Sequence, residues 1–487
     1  MPVDHPRSDY SHIKPKWQRL RDCFNGRDAI VKAGAAYCPD LPGVDANGNI
    51  AYRQRGNFYN AVVRTVQGLN GMIFQEAPEV EMQESLKPML DDITLTNVPF
   101  ETFAQETGKE VFLTGRYGVL VDMPQPMTAD KAIAPGAVAA PAADMRPYCV
   151  AYKAEEIINW RTQRRGGDEI LTMVVLCEKA ELGYSPADPF TCVVVDQYRV
   201  VMLNEEGKCI TQIWRKNAAG DKFEKTQEGD VPLMRRGEAL TFVPFVFLGA
   251  LQSGPDLEHP PLIDLADVNL GHWRNSVDHE YGLHLVALPT PWRAGAKGDN
   301  SSGTVAIGPS VVWDLDVQGS AGMLEFSGEG LKAITEAMDE KKKQMATLGA
   351  RLLEDAPKTA ETASAVRMRH TGETASLKSV AQSLEMGLSQ VLQIAVWWQT
   401  TDATPSDAEV NVELNKEYLD VRATPQEIQV ALTALQAGEI SFETWYELLA
   451  SGGWAREGVD AAQEKKDIAS GKVDVTEPAP QPEPGDA

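Results

Sequence analysis

Residues 262–288 read LIDLADVNLGHWRNSVDHEYGLHLVAL, and residues 331–352 read LKAITEAMDEKKKQMATLGARL. In the first stretch Leu262, Leu265, Ala266, Trp273, Val277, Tyr281, His284 and Leu288 recur at helical spacing directly after Pro260-Pro261. This predicts one helix of about 25 residues, hence about 40 Å long. In the second, Leu331, Ile334, Met338, Met345, Leu348 and Leu352 alternate three and four apart, with charge on the other faces. So narrow a stripe suits a helix that stands beside copies of itself. Pro289, Pro291 and a Gly-rich run separate the two, with short strands expected at 304–307 and 311–315. A long helix, a small interruption and a second long helix imply a tall axial element, as in a ring or a stalk.

Towards the C-terminus, Pro357 breaks the second helix and Thr359 can cap a third, from about 361 to 401. About 40 residues give about 60 Å, several times the ordinary helix length, with bends expected at Gly372 and Gly387. A strand with alternating Val410, Val412 and Leu414 follows. Two short helices come after it, one opened by the capping box Thr424-Pro425-Gln426-Glu427 and ended by Gly438, the other running from Ser441 to Gly452-Gly453. Residues 470–487, with Pro478, Pro480, Pro482 and Pro484, read as a disordered acidic tail.

Towards the N-terminus, Trp17, Leu20, Cys23 and Phe24, then Phe58, Val62, Thr65, Val66 and Leu69, mark helices. Pro39, Pro42, Gly43 and Asn47-Gly48-Asn49 between them read as turn chemistry. A further helix is expected with Asn97 as N-cap and Pro99 in its first turn, burying Phe100, Phe103, Ala104, Val111 and Phe112. Gly115-Arg116-Tyr117-Gly118 then turns the chain into the strand Val119-Leu120-Val121. Residues 124–147 are Ala- and Pro-rich, a mobile surface loop. From 148 to 251 the period changes to two, with β-rich runs at 148–150, 170–177, 191–195, 200–203, 209–214 and 242–248, and a hairpin signal at Asn204-Glu205-Glu206-Gly207. The fold class is therefore α+β, with a mostly antiparallel sheet.

The chain of 487 residues is 43% hydrophobic and 24% charged, enough apolar material for several cores. No apolar run reaches the roughly 18–20 residues that span a bilayer, and the start lacks a leader pattern, so the reading is a soluble protein made for the cytoplasm, with no membrane contact. The net charge of -24 argues against a protein that wraps nucleic acid by neutralising phosphates. The imbalance is uneven: residues 1–75 carry 10 basic and 6 acidic side chains, residues 402–487 carry 6 and 18. The six cysteines include no C-x-x-C and mostly sit in apolar runs, as reduced structural thiols do.

Catalytic apparatus is not legible. His279 and His284 resemble a zinc-peptidase pair, yet five residues put them about 140° apart round a helix, so they read as ordinary helix residues rather than ligands. No Walker A loop, G-x-S-x-G or G-x-G-x-x-G occurs, and adjacent carboxylates mean little among 70 acidic residues. The expectation is no enzyme, no cofactor and no metal. Lys341-Lys342-Lys343 is the one dense basic cluster, either a solvated helix face or a contact with a polyanion.

Several stretches carry a resemblance: 52–69 (YRQRGNFYNAVVRTVQGL), 113–122 (LTGRYGVLVD), 152–161 (YKAEEIINWR), 244–247 (PFVF), 361–374 (ETASAVRMRHTGET) and 440–446 (ISFETWY). In order and coverage, from about residue 17 to 455, the chain resembles tailed-bacteriophage portal proteins, in particular a portal-like group long filed as a domain of unknown function. The loop at 124–147 and the acidic tail lie outside the likeness.

The resemblance implies a portal-type subunit: a helical and sheet wing over 1–258, stem helices at 259–288 and 327–354, and a small α/β clip at 289–326 between them. A tunnel loop at 355–362, a long kinked wing helix at 363–401 and a helical crown at 402–469 follow. It implies a ring of about twelve copies at the capsid portal vertex of a virion, assembled in the host bacterial cytoplasm, through which double-stranded DNA passes non-specifically during packaging and ejection. Implied partners are the terminase large subunit, a head-tail adaptor or neck protein, and the major capsid and scaffold proteins. Lys358, Thr359, Lys341, Lys342 and Lys343 become candidates for the channel and tunnel loop. Trp292 and Trp313 are candidate clip contacts, the alternative being packing within the clip. The other readings are a different structural virion component, such as a head-completion or minor capsid protein, and a hydrolase with an unrecognised active site.

Overall fold

The N-terminal helices are built around Trp17. Helix α1 (Ser8–Asn25) buries Tyr10, Trp17, Leu20 and Cys23 on one face, and Trp17 Nε1 donates to the Thr114 carbonyl at 2.8 Å. Gly26, at φ 86°, ends it and α2 (Arg27–Ala33) follows. Helix α3 (Ala46–Arg55) runs through Asn47-Gly48-Asn49, which were expected to form a turn. Asp45 makes the difference: its carboxylate accepts from Gly48 N at 2.7 Å, and the buried Asn49 amide donates to the Val44 and Asp45 carbonyls, so turn-prone residues form a capped helix start. Asn60 caps α4 (Ala61–Ile73) through Val63 N at 3.1 Å. The computed structural model describes residues 2–124, 146–185, 188–217, 220, 222–226, 230–287, 290–296, 315–324, 329–349, 363–416, 418, 425–451, 454–456 and 459–470. The loop expected at 124–147 and the acidic tail fall almost wholly outside them.

After the short strand β1 (Glu79–Glu81), α5 (Phe100–Thr114) starts two residues later than expected. Pro99 is its N-cap; Asn97 sits at φ 61° in the preceding turn, a left-handed conformation that Asn tolerates. Gly115 closes the helix in the left-handed region, as its place in the sequence suggested. Arg21 on α1 ties this layer together. Its guanidinium reaches Glu110 on α5, an ion pair with only 1% of the Glu110 side chain exposed, and Glu155 at 2.8 Å. Both carboxylates hold Arg21 firmly protonated against the cost of its burial.

Strand β2 (Arg116–Asp122) is central in a three-stranded antiparallel sheet, between β3 (Tyr148–Lys153) and β12 (Phe245–Gly249). The second sheet has the antiparallel order β4 (Ile157–Arg165), β5 (Asp168–Ser185), β6 (Asp188–Leu203), β7 (Cys209–Lys216) and β8 (Phe223–Lys225). Short strands β9 (Val231–Pro232), β10 (Met234–Arg235) and β11 (Glu238–Ala239) lead back to β12, and β9 pairs with β7. The runs expected at 191–195 and 200–203 are one strand, and β5 extends well past Cys177. Polar residues hid the continuity: Glu178 accepts from Arg199 Nε at 2.7 Å, Gln197 Nε2 at 2.5 Å and the Tyr152 hydroxyl at 2.5 Å, so they satisfy one another across the strands. Strand β4 was not anticipated, because alternation stops at Trp160 and an Arg-rich stretch follows. The two sheets meet at Arg116, which is 2% exposed and lies between the Trp160 ring at 4.1 Å and the Phe247 ring at 4.3 Å. Burial, with Arg7 nearby, pushes this guanidinium down to about 9.

Helix α8 (Ala363–Gln399) lies across the three-stranded sheet. Ser383 Oγ donates to the Gly249 carbonyl at 2.9 Å, and Ser253 Oγ donates to the Ser383 carbonyl at 3.0 Å. At Gly387, one of the two glycines where a bend was expected, the helix lies close to its neighbours: a Cβ there would meet Ser253 Oγ at 2.7 Å and Leu248 Cδ2 at 2.9 Å. The strand expected around 410–414 is β15 (Asn411–Glu413), paired with β1, and Val410, Val412 and Leu414 are buried as their alternation required. All of this belongs to one compact unit, Met1–Asn415.

The second unit, Lys416–Ala487, contains α9 (Pro425–Gln436), α10 (Phe442–Ser451) and α11 (Ala461–Ala469). Gly438 at φ 73° follows α9, and Ser441 Oγ accepts from Thr444 N at 3.1 Å, as expected. Helix α11 was not anticipated. It is polar and short, held by Asp460 at its start and by Lys465 to Glu443 at 2.7 Å.

Replacing Arg21 by Ala leaves Glu110 buried beside only a distant, half-exposed Lys153, and is expected to destabilise the first unit by about 3 kcal/mol. Arg21→Ala combined with Glu110→Gln should recover much of that loss in denaturant melts. A double variant no more stable than the single one would contradict the role assigned to the pair.

Candidate functional site: a helix pair and the hairpin between its members

Helix α6 (Ile263–Ala287) begins inside the helical layer and leaves it. Leu265, Ala266, Asn269, Leu270, Trp273, Ser276 and Val277 are buried, but no residue after Val277 is. The strap at 56–61, part of the stretch that carried the family likeness, fastens the buried half. Asn269, fully buried, donates to the Tyr59 carbonyl at 2.7 Å and accepts from Ala61 N at 3.2 Å. Ser276 Oγ accepts from Asn57 N at 2.9 Å. Gly56 lies where a Cβ would come within 2.4 Å of Val277 Cγ2. Tyr52 hydrogen-bonds Asp278 and meets the Tyr281 ring edge-on at 5.3 Å, and burial and the Asp278 carboxylate both raise its hydroxyl above the ordinary range. Sequence reasoning missed Asn269; an amide in the middle of an apolar stripe was the available signal.

Helix α7 (Glu329–Leu348) runs antiparallel along α6. Gly282 faces Leu331, His279 Nε2 lies 3.3 Å from Thr335 Oγ1, Gly271 faces Lys341, and Leu265 faces Gly349, so the two stay in step over about 25 Å. The stripe of α7 was expected to face copies of itself for want of a partner within the chain. Instead α6 supplies that partner, because glycines at 271 and 282 let the second helix approach. Burial is shallow all the same: Met345 is the one buried residue of α7, and Leu348 is 45% exposed.

The basic cluster lies on this pair. Lys341 rests its aliphatic end against Gly271, Lys342 pairs with Asp339 at 3.2 Å on the surface, and Lys343 is exposed. Beneath them His272 is 3% exposed, with both ring nitrogens unpartnered. Burial first, then Lys342 and Lys341, lower its affinity for a proton, with Asp339 opposing. His279 is bonded to Thr335 and His284 is exposed; among the described residues no group of three or more His, Cys, Asp or Glu is disposed to hold a metal. No described helix is long and apolar enough to cross a membrane.

Between the two helices in sequence, β13 (Thr290–Ala296) and β14 (Leu315–Leu324) form an antiparallel hairpin. The second strand starts at Leu315, where the expected one ended, and residues 304–307 lie outside the described set. Trp292 is paired with Gly322, lies over it and is 45% exposed, so it packs within the hairpin on one face and is open to solvent on the other. Trp313, Lys358 and Thr359 lie outside the described residues. The structure thus brings Lys341, Lys342 and Lys343 together on a helix pair that leaves the core.

A family model described as Domain of unknown function (DUF4055) matches residues 261–399, which take in α6, the hairpin, α7 and α8. No curated protein matches the sequence. Among solved structures, a chain of the virion of the native gene transfer agent (GTA) particle is 12% identical, with a TM-score of 0.40 over 88% of this chain and 99% of that one. A chain from the neck of the empty GTA particle, computed with C6 symmetry, is also 12% identical, with a TM-score of 0.37 over 84% and 94%. A third, from the neck of the native particle computed with C12 symmetry, has the same identity and TM-score over 86% and 97%.

His272 gives the helix pair a pH dependence. Its folded proton affinity lies below the unfolded value, so the unfolded chain binds more protons and stability falls as pH drops from about 6.5 towards the depressed folded value. The unfolding temperature of wild type should fall between pH 7 and pH 5 by more than that of His272→Leu. Parallel curves for the two proteins would contradict the assignment.

Proposed function

We propose that this chain is the subunit of a phage portal, a ring at one capsid vertex that conducts DNA during packaging and ejection. The observation that carries the proposal is the antiparallel pair α6 and α7, leaving the core with a β-hairpin between its members, in the order that the sequence resemblance implies for stem, clip and stem. In this reading the clip hairpin, with Trp292 half-exposed, meets the terminase large subunit during filling and an adaptor or neck protein afterwards. The wing meets coat and scaffold. The work is mechanical and structural rather than enzymatic. The net charge of -24 serves a conduit, since carboxylates within about 8 Å of a phosphate repel it at physiological salt. Lys341, Lys342 and Lys343 then give weak, sequence-independent contact with the passing duplex. The second reading, another structural component of the virion, shares the same assembly but not the channel.

Native mass spectrometry of the purified protein should show a particle of roughly twelve times 53.2 kDa. A folded monomer at every concentration and salt tried would sink the proposal. Residues 355–362, with Lys358 as their only base, are the implied tunnel loop, and a single Lys contact with phosphate is weak in salt. Deleting about four of these residues is expected to leave ring formation and incorporation into heads intact while impairing genome packaging or retention. Full heads at wild-type yield would make the segment a plain connector.

A further inference from the structure

The three-stranded sheet ends in β12, whose outer edge has no strand beside it among the described residues. The register decides which backbone groups that edge presents. Val121 N donates to the Pro244 carbonyl at 2.9 Å, so Pro244, Val246 and Leu248 are the residues that bond directly to β2. Phe245, Phe247 and Gly249 then turn their N–H and carbonyl groups the other way. Phe245 N is satisfied by the Val243 carbonyl at 2.8 Å, and the Gly249 carbonyl by Ser383 Oγ. Phe247 has no such help. No hydrogen bond from a described residue reaches its N–H or its carbonyl, although Phe247 is 5% exposed. Buried strand backbone is rarely left so, because each unpaired group costs free energy comparable to a lost hydrogen bond.

Beside this edge lies an open groove of about 560 Å³. Phe245, Val246 and Phe247 all line it, and consecutive strand residues, whose side chains alternate between faces, share a groove only along the edge of the strand. Helix α8 forms one wall through Ile394, and β5 forms the other through Glu169 and Leu171. A slot between a helix and a strand, with unpaired backbone along its floor, fits one extended segment that adds to the edge by main-chain hydrogen bonds. Glu169 is the one charged residue of the lining. It accepts from the Thr162 hydroxyl at 2.5 Å and stands opposite Arg164 in the β4–β5 ladder, so the slot calls for an uncharged occupant.

The chain itself supplies such a segment close by. Because Val121 is bonded to Pro244, the chain leaves β2 beside the end of the groove where Phe242 lies. It re-enters at β3, on the other flank of β2. These two ends sit about 5 and 10 Å across the sheet from β12. Residues 125–145, which lie outside the described set, reach about 70 Å when extended, and β12 is five residues or about 17 Å long, so they can run into the groove and back. Their composition suits the slot. Met127 to Ala134 is the longest stretch there without proline, and Ala132-Ile133-Ala134 sets one β-branched residue between two of the smallest. We infer that residues 132–134 lie along β12 of the same chain as a fourth strand. Ile133 sits beside Phe247, its backbone supplies the missing partners, and its side chain rests against Leu171. The pairing needs a single copy only and is independent of the ring proposed above.

The test places a diazirine-bearing lysine at position 131 of the full chain, where lysine already stands, irradiates the protein and maps the linked peptides. An equal mixture of light and heavy isotope-labelled protein separates links within one chain from links between copies. Links within one chain to 162–171, 242–255 or 390–406 are expected. Hydrogen–deuterium exchange is read in parallel at the Phe247 amide, with fragmentation that resolves single residues. That amide should exchange at least about tenfold faster in Ile133→Asp than in wild type, with circular dichroism unchanged and with Ile133→Val behaving as wild type. The amides of Val246 and Leu248 bond to β2 in every variant and should not change. Links that fall elsewhere or join two copies, or a Phe247 amide that exchanges alike in wild type and Ile133→Asp, would overturn the pairing and leave the ring reading untouched.

Discussion

A pair of helices can project from a protein only if one of them is held rigidly where it leaves. Here that constraint falls on the buried half of α6. Asn269 is the central tie: an amide with no solvent access, it has to find hydrogen-bond partners inside, and it finds both on the backbone at Tyr59 and Ala61. Ser276 repeats the arrangement about two turns further on, at Asn57. Gly56 lets the strap lie flat on Val277. The strap in turn opens α4 through Asn60, so the register of α6 is transmitted to the whole helical layer.

From that fixed base the rest follows by packing. Helix α7 gains its place mainly from α6, through glycines that allow the close approach and a stripe that buries little beyond Met345. Such an interface fixes register better than it supplies stability, which leaves room for neighbours. The sheets pack around Arg116, whose cation is accommodated by two aromatic faces and the carbonyls of Pro255 and Asp256 in place of a carboxylate. Long strands β5 and β6 then carry surface far from that centre.

Much of this was legible in the residues. The extent of α6 was readable because Pro260-Pro261 and Pro289 bracket an unbroken apolar period, and the alternation of Val410, Val412 and Leu414 gave β15 directly. What failed did so for local reasons. Asn47-Gly48-Asn49 was misread because capping by Asp45 overrides turn propensity, and β6 was cut in two because its polar residues are satisfied across the sheet by β5 and β7, which a run-by-run reading does not see. The site was legible in outline, as two helices and a basic cluster. Its partner choice was not, since the stripe of α7 looks the same whether α6 or another copy lies against it.

The central claim is that α6 and α7 stand together in a ring around a channel. A cryo-electron microscopy map of the purified assembly tests it directly. The account predicts about twelve copies around one axis, with the α6–α7 pairs lining the opening, the Trp292 hairpins at one end of it and α8 set outside. A map in which the α6–α7 pairs lie on the outer surface, or in which the copies enclose no opening, would contradict it.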